Sequence, residues 1–413
     1  MPHGVNWRPD AEKVCALVEL TIAFVKLPLF CTVMSRICLF VINGLGMGNS
    51  TRCHAVMEHL AEAGFKIHVI TSGNGLAYFK DKVCVESLTP MPSFFYSGKD
   101  GGVSGWSTIK SIRALAVIAK AKKAELGKLL DQIHPDVAVI DSEYTISPLR
   151  RRGIPVIGLN TSEMIVTEYL KRRRIAPGEI RSHFWFVEFS DYLFHRHFCD
   201  LVLSPFPLRT PARHHKFKRI GLIARRAVIE KAKLAAGKGV PSPRGLQNVV
   251  FMLSGSVHAS NINFDQRQIP FQIHVVGRPG ESRGNVTYHG RQMDNTELLA
   301  NADALVINGG YSAVSEAFVL GKPVFVVPVP GHAEQFVNTR LVSDLGLGFA
   351  ATEENVLDQL LAMYEQDRWT GLKPRPVAFE IDGAREAAEL ILIQTKAAAP
   401  SGAAGRSGLS VAD

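Results

Sequence analysis

The sequence predicts an α/β fold of two doubly wound domains that face each other across a cleft. Short apolar runs alternate with helical patterns in two series, and a stretch rich in Gly, Pro and Ser separates the series. The chain has 413 residues, which at roughly 150 residues per domain corresponds to two domains. Continuously apolar runs are typical of parallel strands covered by helices on both faces. Ligands bind such sheets beyond the carboxyl ends of the strands, so a ligand cleft is expected there.

The first series is expected to form an N-terminal domain over 34–235. Its candidate strands are Ile37–Ile42, Lys66–Thr71, Val137–Asp141, Pro155–Leu159 and Leu201–Ser204. The clearest helix is Ser50–Ala63, and Gly64 follows it at the position where helices commonly end in left-handed geometry.

The second series is expected to form a C-terminal domain over 248–381, after a linker at 236–247. Its candidate strands are Val249–Leu253, Ile273–Val276, Ala304–Ile307 and Val324–Val327. A last helix over 382–396 is expected to cross back to the first domain. Residues 397–413 have the Ala-, Gly- and Ser-rich composition of a disordered tail.

Residues 1–33 are predicted to be an extension ahead of the first domain. Glu19, Lys26 and Pro28 interrupt their apolar stretch, which weakens the alternative of a membrane-spanning helix. An amphipathic anchor lying on a membrane is the other alternative.

Charge is divided unevenly along a chain whose net charge is +9. Residues 246–413 contain 12 basic and 18 acidic residues, a balance of −6, so residues 1–245 have a balance of +15. Basic clusters at 150–152, 171–174 and 209–219 flank an aromatic segment at 184–194, a combination that suits an anionic membrane surface or a lipid-linked acceptor. A core role for the aromatic residues and a solvated role for the charges are the alternatives. No recognised nucleic-acid-binding module is present, so nucleic acid is not expected as a partner.

The cysteines indicate the compartment. Six cysteines without a CxxC pair are typical of buried thiols in a reducing cytoplasm. We therefore expect a cytoplasmic location, with the basic and aromatic segments favouring peripheral attachment at the inner face of the plasma membrane.

A glycine-rich turn follows the first predicted strand. Gly44, Gly46 and Gly48 allow a tight turn and close approach of a ligand to the backbone, while Ser50 or Thr51 is expected to cap the next helix. The N-terminus of that helix attracts anions. The pattern lacks the spacing and the acidic residue of a dinucleotide site, and a turn without any ligand is the structural alternative.

A stronger motif opens a helix in the second domain, over 308–317. Gly309 and Gly310 expose successive backbone N–H groups, and Ser312 or Ser315 adds a hydroxyl. This arrangement suits a diphosphate at the positive end of a helix. Glu316 is expected one turn further in, where a carboxylate can accept hydrogen bonds from ribose hydroxyls.

The segment 328–338 then opens another helix towards the same cleft. Glu334 and Gln335 supply a carboxylate and an amide, the groups that bind sugar hydroxyls. The alternative for Glu334 is a structural residue that the helix dipole favours near an N-terminus.

The residues of these motifs resemble a known family of enzymes. The pattern GGxSxxxEAxxxGxPxxxxPxxxHxEQxxN, from Gly309 to Asn338, resembles the donor half of the GT-B glycosyltransferases. Within them the chain is similar to glycosyltransferase family 28, which includes the lipid-linked N-acetylglucosaminyltransferase of peptidoglycan synthesis. The GxGxxxR of Gly46–Arg52 resembles the acceptor-side loop of the family, and Ser254-Gly255-Ser256 resembles its first donor-side glycine loop.

The resemblance implies a GT-B fold of two Rossmann-like domains and an inverting transfer from a nucleotide sugar, commonly UDP-linked, without a metal or other cofactor. Helix dipoles and backbone donors would then stabilise the departing nucleoside diphosphate. The implied donor-binding residues are Ser254, Gly255, Ser256, His289, Gly290, Arg291, Gly309, Gly310, Tyr311, Ser312, Glu316, His332, Glu334, Gln335 and Asn338. The acceptor is expected to be a glycan or a lipid-linked hydroxyl compound.

One departure from the family concerns the catalytic base. Asn49 stands where the family loop commonly has a histidine, and an amide cannot accept a proton. Asp141, at the end of a predicted strand, is the favoured substitute, ahead of Glu143 and His54, and Arg52 completes the predicted catalytic set. The structural alternative for Asp141 is a cap on the following turn.

Asn49 also leaves other functions open. The alternatives are a non-catalytic protein that binds sugar nucleotides or glycans on the same scaffold, and a nucleotide-sugar 2-epimerase.

Overall fold

Two parallel β-sheets with strands in doubly wound order form the framework of the protein. The computed structural model describes residues 36–92, 105–208, 210–236, 245–253, 262, 264, 268–366 and 381–398, with the backbone alone for 105–116, 236 and 396–398. The predicted extension 1–33, most of the predicted linker and nearly all of the predicted tail lie outside these residues.

The first sheet has the strand order β3-β2-β1-β4-β5-β6-β7. Its strands are β1 Ile37–Ile42, β2 Lys66–Thr71, β3 Ser87–Pro90, β4 Val137–Asp141, β5 Val156–Leu159, β6 Leu201–Pro205 and β7 Phe217–Ile220. The order reverses between β1 and β4, where Ile42 pairs with Asp141. Asp141 therefore lies at the carboxyl edge, beside the turn that follows β1.

The second sheet repeats this pattern with the order β10-β9-β8-β11-β12-β13. Its strands are β8 Asn248–Met252, β9 Gln272–Val276, β10 Val286–Gly290, β11 Ala304–Ile307, β12 Val324–Val326 and β13 Gly348–Ala350. The second reversal lies between β8 and β11, where Met252 pairs with Ile307. The two sheets confirm the predicted pair of doubly wound units.

Helices cover both sheets. In the first half of the chain they are α1 Met47–Glu62, α2 Gly73–Phe79, α3 Gly105–Ile133, α4 Ser147–Arg151, α5 Ser162–Arg172, α6 Gly178–His183, α7 Phe189–Phe198 and α8 Arg226–Ala236. The remainder are α9 Thr296–Asn301, α10 Tyr311–Leu320, α11 Ala333–Asp344, α12 Val356–Glu365 and α13 Gly383–Ala398. A π-helical turn, Phe184–Glu188, joins α6 to α7.

Helix α1 begins earlier than predicted. Gly46 is its N-cap residue, without a side-chain cap, so Gly48 and Asn49 lie in the first turn of the helix. Ser50, one of the two predicted caps, is buried inside the helix, and its hydroxyl has no hydrogen-bond partner among the described residues. Gly64 adopts the predicted left-handed conformation, with φ +87°.

Two helices connect the lobes built on the two sheets. Helix α8, which the sequence places in the first domain, packs against α9 and α10 of the second. Helix α13 packs against α1 and β7, which confirms the predicted crossing back to the first domain. In addition, one apolar core runs from the first lobe into the second, with Tyr169 and Phe184 on one side and Tyr311 and Val337 on the other. The carboxyl edges of both sheets are thereby held close together.

Within the described residues, no helix combines the length and the apolar character that crossing a membrane requires.

Candidate active site

The turn after β1 is built around Gly44. A Cβ atom on Gly44 would lie 1.7 Å from the backbone oxygen of Ser72, so only glycine fits there. The Gly75 amide donates to the Gly44 oxygen at 3.3 Å, which ties this turn to the start of α2. Around Gly46, by contrast, nothing lies within 4 Å of such a Cβ. The backbone of the turn is therefore fixed at Gly44 and open at Gly46.

Arg52 and Asp141 form a buried ion pair behind this turn. Arg52 donates from Nε to Asp141 Oδ2 at 3.0 Å and from Nη2 to Oδ1 at 2.6 Å, and the two side chains are 5% and 0% exposed. Burial disfavours the charge on Arg52, but the Asp141 carboxylate raises the pKa of the guanidinium above its usual value. Arg52 also donates to the Asn49 oxygen at 3.2 Å.

This environment favours a positioning role for Asp141. A carboxylate enclosed by Arg52, the Ser142 hydroxyl and the Cys53 thiol has no exposed oxygen to take a proton from a substrate. Its part as the base stays a prediction. Asn49 and Arg52, the other predicted members of the catalytic set, do lie together with Asp141.

The two alternative bases are also held by neighbours. Glu143 is 4% exposed and accepts hydrogen bonds from Lys122 Nζ at 2.6 Å and from the Thr145 hydroxyl at 2.8 Å. His54 Nδ1 lies 3.2 Å from the Tyr78 hydroxyl. Burial, assisted by the charge of Lys82, lowers the pKa of His54 to about 4, so this imidazole is neutral at pH 7.

The start of α10 faces the first glycine turn. Gly309 has φ +82°, and a Cβ there would lie 2.7 Å from Val326 Cγ1, so glycine is needed at this position. The Tyr311 amide donates to Glu334 Oε1 at 3.1 Å, whereas the amides of Ser312 and Ala313 have no acceptor among the described residues. The Ser312 hydroxyl donates to the Gly48 oxygen at 3.0 Å, which joins the two predicted motifs directly.

Residues at the start of α11 bind the loops around them. Gln335 Oε1 accepts from the Val329 amide at 2.7 Å, and Asn338 Nδ2 donates to the Gly309 oxygen at 2.8 Å. His332 is the N-cap residue of α11. The structure thus brings the Gly309–Ser312 and His332–Asn338 segments together, as the sequence predicts.

Sequence reasoning missed Arg225. This residue follows β7, and its guanidinium donates from Nε to Glu316 Oε1 at 2.5 Å and from Nη2 to Glu316 Oε2 at 2.8 Å. Its Nη2 also donates to Asn295 Oδ1 at 2.6 Å. The carboxylate predicted to bind ribose is therefore already paired with a cation. No motif surrounds Arg225, and only its position opposite Glu316 in space reveals it.

Three residues of the implied donor-binding set, His289, Gly290 and Arg291, lie at the end of β10. His289 Nε2 is 3.1 Å from His274 Nδ1, and Gly290 has φ +61°. Arg291 Nη2 donates to Asn74 Oδ1 at 2.7 Å, a further hydrogen bond between the lobes. Ser254, Gly255 and Ser256 lie outside the described residues.

Five of the eleven described Lys and Arg residues in the predicted basic clusters form ion pairs with carboxylates. The pairs are Arg150–Asp200, Arg152–Asp131, Lys171–Glu168, Arg172–Asp344 and Arg219–Glu163. Of the aromatic segment, Phe184 is buried, while Trp185 and Phe186 are 50% and 82% exposed. One part of the segment therefore packs in the core, and another part faces solvent.

Comparison with known proteins decides what kind of enzyme this site belongs to. The sequence profile described as Glycosyl transferase family 1 matches residues 36–184 and 227–364. The chain belongs to this family. The glycosyltransferase activity predicted from the sequence is thereby supported, and it requires a sugar donor and an acceptor.

Relatives align along most of the chain. An uncharacterized glycosyltransferase of Methanosarcina acetivorans is 26% identical over 86% of this chain and 97% of its own length. The UDP-N-acetylglucosamine--N-acetylmuramyl-(pentapeptide) pyrophosphoryl-undecaprenol N-acetylglucosamine transferase of Sulfurihydrogenibium sp. is 25% identical over 80% of this chain and 89% of its own length.

Solved structures confirm the GT-B fold. The calicheamicin glycosyltransferase CalG4 has a TM-score of 0.58 at 15% identity, covering 89% of this chain and 100% of that one. MurG of Acinetobacter baumannii has a TM-score of 0.54 at 14% identity, covering 88% and 99%. SsfS6 of Streptomyces sp. SF2575, complexed with thymidine diphosphate, has a TM-score of 0.53 at 14% identity, covering 87% and 99%.

Proposed function

We propose that this glycosyltransferase moves a hexose or N-acetylhexosamine from a nucleoside diphosphate sugar, UDP-linked, to a hydroxyl acceptor. The observation that carries the proposal is the hydrogen bond from the Ser312 hydroxyl to the Gly48 oxygen. It joins the start of the proposed diphosphate-binding helix to the turn proposed to receive the acceptor. Donor and acceptor bound at these two places would meet at the carboxyl edges of both sheets.

The donor half of the proposal rests on the start of α10. The amides of Ser312 and Ala313, which have no acceptor in the part of the chain that the structure describes, lie at the N-terminus of a ten-residue helix, where the helix dipole favours anions. Glu316 lies one turn further in, where its carboxylate can accept hydrogen bonds from ribose. The Sulfurihydrogenibium relative is named for UDP-N-acetylglucosamine, which favours uridine, whereas the SsfS6 complex contains thymidine. UDP and TDP donors are therefore both needed in the assay.

The proposed reaction is a direct displacement. The acceptor oxygen attacks the anomeric carbon, the bond to the diphosphate breaks, and the configuration inverts. Backbone amides and the dipole of α10 stabilise the charge that develops on the departing diphosphate, so we propose that transfer requires no metal. Stabilisation of the diphosphate by backbone amides and a helix dipole, without a metal, is also what the resemblance to family 28 implies.

The proton of the acceptor passes to a base that experiment can assign. Asp141→Asn, Glu143→Gln and His54→Gln each remove one candidate while leaving a group of similar size. General-base catalysis contributes about 10²–10⁴-fold, so the true base is the position whose replacement lowers the turnover of folded enzyme by that factor.

The test is release of nucleotide from a panel of UDP- and TDP-sugars in the presence of EDTA, with and without hydroxyl acceptors. We expect release that depends on Glu316, survives chelation and gives a product of inverted anomeric configuration by NMR. Binding of nucleotide sugar without release would support the non-catalytic alternative that Asn49 suggests. An epimerised sugar as the product would contradict transfer in favour of the 2-epimerase.

We also propose that the aromatic segment contacts an anionic membrane surface, where a lipid-linked acceptor would be found. Trp185 and Phe186 are exposed, and Arg173 and Arg174 on the neighbouring stretch are exposed as well. Each cation near such a surface contributes about 1 kcal/mol. Sedimentation with phosphatidylserine-containing vesicles should exceed that with neutral vesicles and fall in Phe186→Ser. Equal sedimentation with both vesicle types would contradict this part of the proposal.

A further inference from the structure

Two histidines and a glutamate meet where the lobes touch near the start of α11. His183 ends α6, Glu188 ends the π-helical turn, and His332 is the N-cap residue of α11. One potential ligand atom of each side chain lies within 4.8 Å of the others. The two imidazole rings are 4.9 Å apart between centroids and inclined at 33°. The cluster thus draws on α6 and the π-helical turn of the first lobe and on α11 of the second.

His332 lacks a partner for one ring nitrogen. Its Nδ1 is buried, and among the described residues no group forms a hydrogen bond with it. Leaving a buried polar atom unpaired costs about 1–3 kcal/mol, so such an atom is usually matched by a ligand or a water molecule.

The other two side chains of the cluster, His183 and Glu188, do not form a hydrogen bond with each other. Glu188 Oε1 lies 3.8 Å from His183 Nδ1, too far for a hydrogen bond. The Ala333 amide reaches the same nitrogen only at 3.4 Å. Three groups that are good metal ligands therefore converge without binding tightly to one another.

We infer that His183, Glu188 and His332 form a binding site for one Zn²⁺ ion that joins the two lobes. Two imidazoles and a carboxylate are a common protein ligand set for Zn²⁺, with a water molecule in the fourth position. At Zn–ligand distances of about 2.0–2.2 Å, tetrahedral ligand atoms are roughly 3.4 Å apart. Binding would therefore draw the three groups together by about an ångström, and the lobes with them.

The site has a consequence for regulation. Glu334 and Gln335 of the proposed sugar-binding motif lie two and three residues after His332, so an ion holding His332 against the first lobe would restrict entry of a donor. Zn²⁺ would then inhibit the enzyme rather than take part in its chemistry. The existence of the site does not depend on the proposed transfer reaction.

The experiment uses the tag-free full chain, stripped with EDTA and desalted, and Co²⁺ as a spectroscopic substitute for Zn²⁺. We expect visible absorption typical of tetrahedral Co²⁺, saturating at one ion per chain and abolished by one equivalent of Zn²⁺. His332→Ala and Glu188→Gln should each weaken binding by at least about 100-fold, more than changes outside the ligand shell usually do. His332→Cys should retain the ion and add a thiolate-to-cobalt charge-transfer band.

The matched control removes a second pair of neighbouring histidines. His214 and His215 have ring centroids 4.2 Å apart and lie elsewhere on the first lobe, so the double alanine variant should bind Co²⁺ like the native chain. Loss of the signal in that variant, or an unchanged signal in His332→Ala, would show adventitious binding and overturn the assignment. Absence of tetrahedral absorption in the native chain would overturn it as well.

Two further measurements separate folding and transfer from metal binding. Thermal unfolding in EDTA establishes that each variant is folded, and His183→Asn replaces His332→Ala if the latter is not. Nucleotide release in EDTA is measured on Glu188→Gln and the native chain. Equal release with loss of Co²⁺ binding supports a metal site separate from the transfer chemistry, whereas no release from either chain would contradict the proposed function and leave the metal result standing.

Discussion

Arg225 holds Glu316 through two parallel hydrogen bonds, Nε to Oε1 at 2.5 Å and Nη2 to Oε2 at 2.8 Å. Both side chains are nearly buried, at 12% and 8% exposure. If Glu316 binds ribose, it does so with the lone pairs that Arg225 leaves free, and its orientation is set by that arginine. Arg225 is thus a positioning residue for the proposed donor site.

This pair gives a graded prediction for UDP affinity. Glu316→Ala should weaken binding by at least tenfold, which corresponds to about 1.4 kcal/mol. Arg225→Lys should give a smaller loss, because an ammonium group cannot make the bidentate contact that orients Glu316. Titration calorimetry measures both, with Glu365→Ala on the exposed end of α12 as the control. Native affinity in Glu316→Ala would contradict the donor assignment.

Asp141→Asn should destabilise the fold whether or not Asp141 is the base. The substitution leaves Arg52 buried without its counter-charge, and breaking a buried pair in this way costs about 3–5 kcal/mol. Denaturant unfolding should show that loss, and a double variant with Arg52→Met should recover part of it. Native stability in Asp141→Asn would argue against the ion pair as an anchor of the site.

Turnover separates the two roles of Asp141. If the residue positions Arg52, folded Asp141→Asn at low temperature should keep much of its kcat, with an unchanged pH profile. A loss of more than 100-fold together with loss of one limb of the pH profile would instead establish it as the base.

The first glycine turn gives a matched pair of alanine variants. Gly44→Ala should prevent the turn from closing, because its Cβ would overlap the Ser72 carbonyl. Gly46→Ala should be tolerated, since its backbone angles are ordinary and nothing lies within 4 Å. Soluble yield and thermal unfolding report the difference. Equal behaviour of the two variants would show that the turn is arranged differently.

His54 should make the fold sensitive to mild acid. Its pKa of about 4 in the folded chain is below the value of about 6.5 expected when unfolded. As the pH falls from about 6.5 to 4, the unfolded chain therefore takes up a proton that the folded chain does not, and stability decreases by at most about 3 kcal/mol.

His54→Gln should flatten this part of the stability curve, while His215→Gln on the surface should not. The free energy of unfolding, measured by denaturant titration at several pH values, tests the difference. Parallel curves for His54→Gln and the native chain would contradict the burial argument.

The apolar pattern of the sequence was sufficient to predict the central strands of the two sheets. It was not sufficient to predict the strands at the sheet edges. Strands β1, β4 and β11 are buried at nearly every position and stand out in the sequence. Strands β3, β7, β10 and β13, which form the edges of the two sheets, were all missed, because they are short and only partly buried. An edge strand needs no continuous apolar run, so its pairing depends on the sheet already formed beside it.

The site was predictable where backbone geometry dictates the residue type. Gly309 and Asn338 are required by a left-handed turn and by a hydrogen bond to that turn, and both belong to the motif that was found. Arg225 and His183 were not found, because each acts through a partner 91 or 149 residues away in sequence. Contacts between lobes depend on how the two sheets are oriented, which local patterns do not encode.

The central claim is that a nucleoside diphosphate binds at the start of α10, and a crystal structure of the chain with UDP tests it most directly. The account predicts diphosphate oxygens on the amides of Ser312 and Ala313, with the ribose hydroxyls on Glu316. Diphosphate bound away from this helix, or Arg225 and Glu316 sealed together with no nucleotide beside them, would contradict it.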